Sequence, residues 1–172
     1  RAAIDTLVAA GKLDPDSVTD LGRVDTGVAV KTGAAHPAIC DADALTRVFR
    51  DADALFCPDT VQATAGIHFA SVLSRLGVAE TATLQEFPNG QTAMAAMAKS
   101  DLASPVGCTQ VTEILNTPGV DYVGPLPAPF DLSTIYTAAV SLTADAPADA
   151  RALIALLADP AHTDLRRSVG FT

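Results

Sequence analysis

Residues 54–77 read ALFCPDTVQATAGIHFASVLSRLG. The first four, Ala54 to Cys57, form a short unbroken apolar run, as expected of a strand buried on both faces. Pro58 to Ala65 is a polar loop whose single charge is Asp59. From Gly66 to Leu76 the spacing turns helical, with Ile67, Ala70, Leu73 and Leu76 on one side and Gly77 as the stop. Strand, short polar loop and helix make half of the crossover unit that parallel strands require.

The same order recurs on both sides. Downstream, Thr83 to Phe87 is a strand candidate, Pro88-Asn89-Gly90 a turn, and Thr92 to Lys99 an Ala/Met helix. Pro105 to Cys108 is a short strand, Val111 to Leu115 a brief helix, and Asp121 to Leu126 a strand leading into PLPAPF. Upstream, Gly22 to Lys31 reads as a strand with Val24, Val28 and Val30 on one face, and Asp41 or Asp43 caps a helix running to about Arg50. A helix over residues 2–12, carrying Ile4, Leu7 and Val8 with Leu13 on its face, opens the chain. A long strand over 132–142 and helices over 149–157 and the last dozen residues close it. The β-α-β-α-β-α-β order predicts an α/β fold with a mostly parallel sheet flanked by helices. The two longest strands, near 24–31 and 132–142, flank the repeats and suit a crossing between two lobes.

Composition narrows the function. At 172 residues, 49% hydrophobic and 18% charged, the chain can bury a real core. With no Trp and 5% aromatics, that core is built of Ala, Val, Leu and Ile. A net charge of −9 and 11 unclustered Lys and Arg speak against a nucleic-acid surface. No apolar run reaches the ~18 residues of a membrane helix, so the chain is expected not to span a bilayer itself. Cys40, Cys57 and Cys108 form no C-x-x-C pair. Buried free thiols are the simpler reading, and one disulfide plus a free thiol is the alternative for an exported protein. The acidic residues show no metal-cage spacing, and no cofactor motif is present, so neither a metal nor a cofactor is expected. Arg1 enters an amphipathic helix partway, which reads as an internal start within something longer.

In an open α/β sheet, ligands sit beyond the carboxyl ends of the strands. Three loops qualify: Pro58–Gly66, Pro88–Thr92 and Thr109-Gln110. Two of them open onto fresh helix N-termini, whose unpaired N–H groups and positive dipole end can hold an anion without Arg or Lys. The alternative is that they are ordinary connections with ordinary caps. Catalytic constellations are poor. His68 and Cys57 offer a thiol–imidazole couple, but no third residue orients it, and a histidine packed beside its own sheet explains His68 as well. No enzyme is expected.

Several stretches resemble bacterial extracellular solute-binding proteins, in the branch of the molybdate-binding proteins of ABC transporters. They are AAIDTLVAAGKLDPDSVTDLGRVDTGVAVKTGA, ATAGIHFASVLSRLG, TEILNTPGVDYVGPLPAPF and ARALIALLADPAHTDLRRSVGFT. The likeness runs over essentially the whole chain. It implies the two-lobe type II periplasmic-binding fold, with lobe one formed by residues 1–28 and 132–172 and lacking its N-terminal strands, and lobe two by 29–131. It implies a receptor that captures a small oxyanion or small polar solute in an interlobe cleft and delivers it to an ABC permease, at a periplasmic or extracellular site. The family's helix-start contacts fall at Thr64, Ala65 and Gly66, and at Gly90, Gln91 and Thr92. Its tyrosine contact falls at Gln110, where an amide replaces the phenol, which puts molybdate itself in question. An effector-sensing domain of a transcriptional regulator with the same fold is the alternative function. If the chain is the whole molecule, the open sheet edges of lobe one invite pairing with a second copy.

Overall fold

The computed structural model describes all of residues 1–172. In chain order the elements are α1 (Ala2–Ala9), β1 (Thr19–Lys31), α2 (Ala42–Asp51), β2 (Leu55–Pro58), α3 (Thr64–Arg75), β3 (Leu84–Phe87) and α4 (Gly90–Lys99). Then follow β4 (Val106–Gln110), α5 (Val111–Leu115), β5 (Val120–Pro125), β6 (Ser133–Ala138), α6 (Pro147–Ala158) and α7 (Thr163–Ser168). They group into two compact units, residues 25–133 and residues 1–24 with 134–172.

Residues 25–133 hold a sheet of order β3-β2-β4-β1-β5. β2 pairs in parallel with β3 and with β4, while β1 runs antiparallel to both β4 and β5. Four strands thus share one direction and β1 opposes them, giving the mostly parallel sheet that the strand–helix alternation predicts. β2 is buried at every position, as its apolar run requires. Helices cover both faces. On one, Leu45 and Phe49 of α2 and Phe69, Val72 and Leu73 of α3 pack against Val28, Leu55, Cys57, Val106 and Cys108. Phe49 and Phe69 meet edge to face at 5.3 Å, a favourable aromatic geometry. On the other face, Ala93, Met94 and Met97 of α4 and Ile114 of α5 cover Ala29, Ala54 and Phe56. Asp41 is the cap of α2: its carboxylate accepts the Ala44 N–H at 2.8 Å, which holds it below the ordinary carboxylate range.

In the unit formed by residues 1–24 and 134–172, α1, α6 and α7 contain no buried residue. Arg1 donates to Asp5 and to Asp20, and Thr137 donates to the same Asp20 oxygen. The expected strand over 132–142 is shorter: β6, which pairs with β1, stops at Ala138. Beyond it the Val140 N–H turns to the buried Ser17 hydroxyl at 2.8 Å, and Ser141 forms an isolated bridge with Leu13. A side-chain acceptor takes the Val140 N–H there, while the Val140 carbonyl and the Leu142 N–H pair with the backbone of Asp14 and Lys12. Leu13 therefore belongs to that bridge and not to the first helix, which ends at Ala9 with Gly11 in the left-handed region. The closing segment is a 3-10 turn, Pro160–His162, followed by α7. No helix is long and apolar enough to cross a membrane.

Candidate functional site at the strand exits

The parallel run of β3, β2 and β4 delivers Phe87, Pro58 and Gln110 to the same edge of the sheet. The loop from β2 to α3 is wired by two carboxylates. Asp59 Oδ1 accepts the N–H groups of Val61 and Gln62, both at 2.8 Å. Glu86, one strand over, accepts the Thr60 N–H at 3.0 Å and its hydroxyl at 2.6 Å. A concavity of about 430 Å³ lies beside them, lined by Asp59, Gln62, Glu86, Phe87 and Pro88. Its charge is acidic, but the two carboxylates spend lone pairs on loop donors and thereby fix the loop.

The start of α3 is open. Its ladder begins with the Ile67 N–H donating to Ala63 O at 2.9 Å, and no side chain caps it. The N–H groups of Thr64, Ala65 and Gly66 therefore precede the ladder. Thr64 is exposed, and Ala65 and Gly66 are buried. Gly66 lies hard against the end of β2: a Cβ there would be 2.1 Å from the Asp59 carbonyl oxygen and 2.4 Å from that of Pro58. The start of α4 is closed by comparison. Asn89 Oδ1 accepts both the Thr92 N–H at 2.8 Å and the Thr92 hydroxyl at 2.9 Å. Thr92 is thus engaged by the cap, and the N–H groups of Gly90 and the exposed Gln91 remain ahead of the ladder.

Gly90 is brought against the exit of β4. The Thr109 hydroxyl donates to Glu113 Oε2 at 2.5 Å, and a Cβ on Gly90 would reach both partners. Gln110, the next residue, is 8% exposed and lies opposite Thr26 of β1. The expected site residues thus form two groups, Thr64–Gly66 at the β2 exit and Gly90 with Gln110 at the β4 exit. The carboxylate wiring of Asp59 and Glu86 escaped the sequence reading, since no local spacing links positions on different strands.

The thiol–imidazole couple does not form. His68 Nε2 is 2.7 Å from the Phe130 carbonyl oxygen, within a clamp on the Pro-rich segment that Arg75 completes by donating to Pro129 O and lying over the Phe130 ring. Cys57 is fully buried, and burial first, then the nearby Glu86, pushes its thiol up to about 12. Cys108 is likewise pushed up by burial. Neither is a nucleophile at neutral pH. Cys40 is exposed. A thiol reagent is expected to modify Cys40 alone in the native chain and all three cysteines in denaturant, and native labelling of Cys57 or Cys108 would contradict this packing.

The family model described as bacterial extracellular solute-binding protein matches residues 1–172. The chain belongs to that family. Among solved structures, this solute-binding protein is similar to the periplasmic molybdate-binding protein of Azotobacter vinelandii, with a TM-score of 0.74 at 15% identity over 99% of this chain and 74% of the other. It is also similar to the sulfate-binding protein SubI of Mycobacterium tuberculosis H37Rv, with a TM-score of 0.68 at 19% identity over 98% and 64% of the two chains. At such identities the likeness establishes the fold. A curated relative, aconitate isomerase from a Pseudomonas species, is 30% identical over 170 residues, covering 91% of this chain. The solute-binding protein spans 59% of that relative's length.

Proposed function

We propose that this solute-binding protein captures a small oxyanion or small polar solute for an ABC importer, on the outer side of the cytoplasmic membrane, in the periplasm where one exists. The observation that carries the reading is the uncapped start of α3 at a parallel strand exit, where Thr64, Ala65 and Gly66 hold N–H groups ahead of the ladder. Such donors bind an anion without a compensating cation. Gly90 and Gln91, whose N–H groups lie ahead of the α4 ladder, and Gln110 complete the proposed contact set, and Thr92, whose N–H and hydroxyl both donate to Asn89, joins it only by leaving that cap. Capture in an interlobe cleft and hand-over to a permease are the finer parts of the same proposal. A net charge of −9 does not oppose it, because neutral dipoles act locally while the global field slows only encounter.

A second reading is favoured by the 30% identity to a protein named aconitate isomerase: the bound anion is a small polycarboxylate, and the protein isomerises it. Thermal unfolding of the chain, alone and within its complete translation product, separates the readings. The panel is molybdate, tungstate, sulfate, phosphate, citrate and the two geometric isomers of aconitate. A ligand of the folded state at a hundredfold excess over its Kd stabilises by ~2.7 kcal/mol. Stabilisation by one anion, with the proton NMR spectra of both aconitate isomers unchanged on incubation with the protein, supports the receptor. Interconversion of the aconitate isomers supports the enzyme. No stabilisation by any member, in either form, would overturn the oxyanion reading.

A further inference from the structure

Thr26 Oγ1 is a buried side-chain oxygen with no hydrogen-bond partner, on a residue 1% exposed. Folded proteins keep few such groups, because an unpaired buried hydroxyl is unfavourable and valine would fill the same space without that cost. The main chain of Thr26 is held on both sides. Its N–H donates to Leu132 O at 2.9 Å and its carbonyl accepts the Leu126 N–H at 3.0 Å.

Its location is specific. The β1–β4 register sets Thr26 opposite Gln110. Residues opposite one another in an antiparallel pair project to the same face, with Cβ atoms about 4.5–5.5 Å apart. By alternation that face is the one of Val28, Val106 and Cys108, which Phe69 and Val72 of α3 cover. The orphan hydroxyl therefore stands beside Gln110, at the exit of β4, on the face where α3 begins.

We infer that Thr26 is a ligand contact: its hydroxyl donates to an anionic oxygen of the bound solute, beside the Gln110 side chain. This inference rests on the anion-binding reading above. Anionic oxygen is common to a tetrahedral oxyanion and a carboxylate, and the probes distinguish them. Unlike the N–H groups at the start of α3, a hydroxyl adds a directed contact from the sheet itself, which makes Thr26 a specificity-determining position.

The test uses Thr26→Val and Thr26→Ser, with molybdate, sulfate and trans-aconitate as probes, read by isothermal titration and by ligand-free melting. For the probe that binds wild type, Thr26→Val is expected to weaken affinity by about tenfold or more, the loss of one hydrogen bond to a charged group. Its ligand-free melting temperature stays at or above wild type, because an unpaired hydroxyl has been removed. Thr26→Ser, which keeps the donor, holds affinity within about threefold, well under one hydrogen bond. Unchanged affinity in Thr26→Val overturns the inference while leaving the binding reading intact. A lowered ligand-free melting temperature, or failure to fold, also overturns it, since the hydroxyl would then have a structural partner. If wild type binds none of the probes, the anion-binding reading fails and carries this inference with it.

Discussion

Replacing Gly66 with alanine is expected to lower the melting temperature by about 6–12 °C, corresponding to ~3 kcal/mol in a domain of this size. Helix propensity alone points the other way, because alanine for glycine inside a helix gains up to about 1 kcal/mol. The obstacle is tertiary. The new methyl would lie 2.1 Å from the Asp59 carbonyl oxygen, 2.4 Å from the Pro58 carbonyl oxygen and 2.6 Å from the Asp59 carbonyl carbon. All three are backbone atoms, so no rotamer change relieves the clash. Either α3 moves off the sheet, which loosens Phe69 and Val72 in the core, or the β2 exit moves, which breaks the Asp59 and Glu86 wiring of the loop. Binding should fall together with stability, because the same shift displaces the N–H groups of Thr64 and Ala65. Thermal melts by circular dichroism decide the matter, and a Gly66→Ala chain that melts at or above wild type would show that close approach is not what the glycine is for.

Much of this fold is legible in the sequence because its signals are local. The apolar run at Leu55–Cys57, the helical spacing from Ile67 and the stop at Gly77 all act within a few residues, and each marks the element the structure contains. A capping aspartate is equally local, left open between Asp41 and Asp43 by the sequence, and Asp41 is the one the structure uses. The end of β6 is different. Residues 132–142 keep a strand-like composition to the end, yet β6 stops at Ala138, and beyond it the chain bonds to segments far away in sequence, the Val140 N–H to Ser17 and the Val140 carbonyl and Leu142 N–H to Asp14 and Lys12. No pattern within the segment contains those partners.

The candidate site divides in the same way. Helix starts after strands can be read from spacing, which is why Thr64–Gly66 and Gly90–Thr92 are visible as loops with ligand potential. What each start can offer is not visible. Asn89 engages Thr92, whereas Ala63 leaves α3 uncapped. Thr26 is hidden more deeply. In VDTGVAV it reads as one position of an alternating strand, and only the pairing of β1 with β4 sets it beside Gln110 without a partner for its hydroxyl.

Gly90 tests whether the exit of β4 and the start of α4 form one unit. Gly90→Ala would place a methyl 1.9 Å from Thr109 Oγ1 and 2.1 Å from Glu113 Oε2. Here the obstacles are side chains, and the hydrogen bond joining them, 2.5 Å long, has to give way. Thr109 is fully buried and β-branched, so its hydroxyl has few other rotamers, and the expected cost is about 2 kcal/mol, that of a hydrogen bond to a charged group. Thr109→Ala alone breaks the same bond at a similar cost. In that background Glu113 is free to swing outward, and adding Gly90→Ala should cost little. The double variant is therefore expected to be less destabilised than the sum of the singles by about 1.5 kcal/mol, a coupling typical of groups in direct contact. Denaturant melts of the four proteins measure it. Strict additivity would mean that Gly90 and Thr109 act independently, and the β4 exit would then not govern how α4 begins.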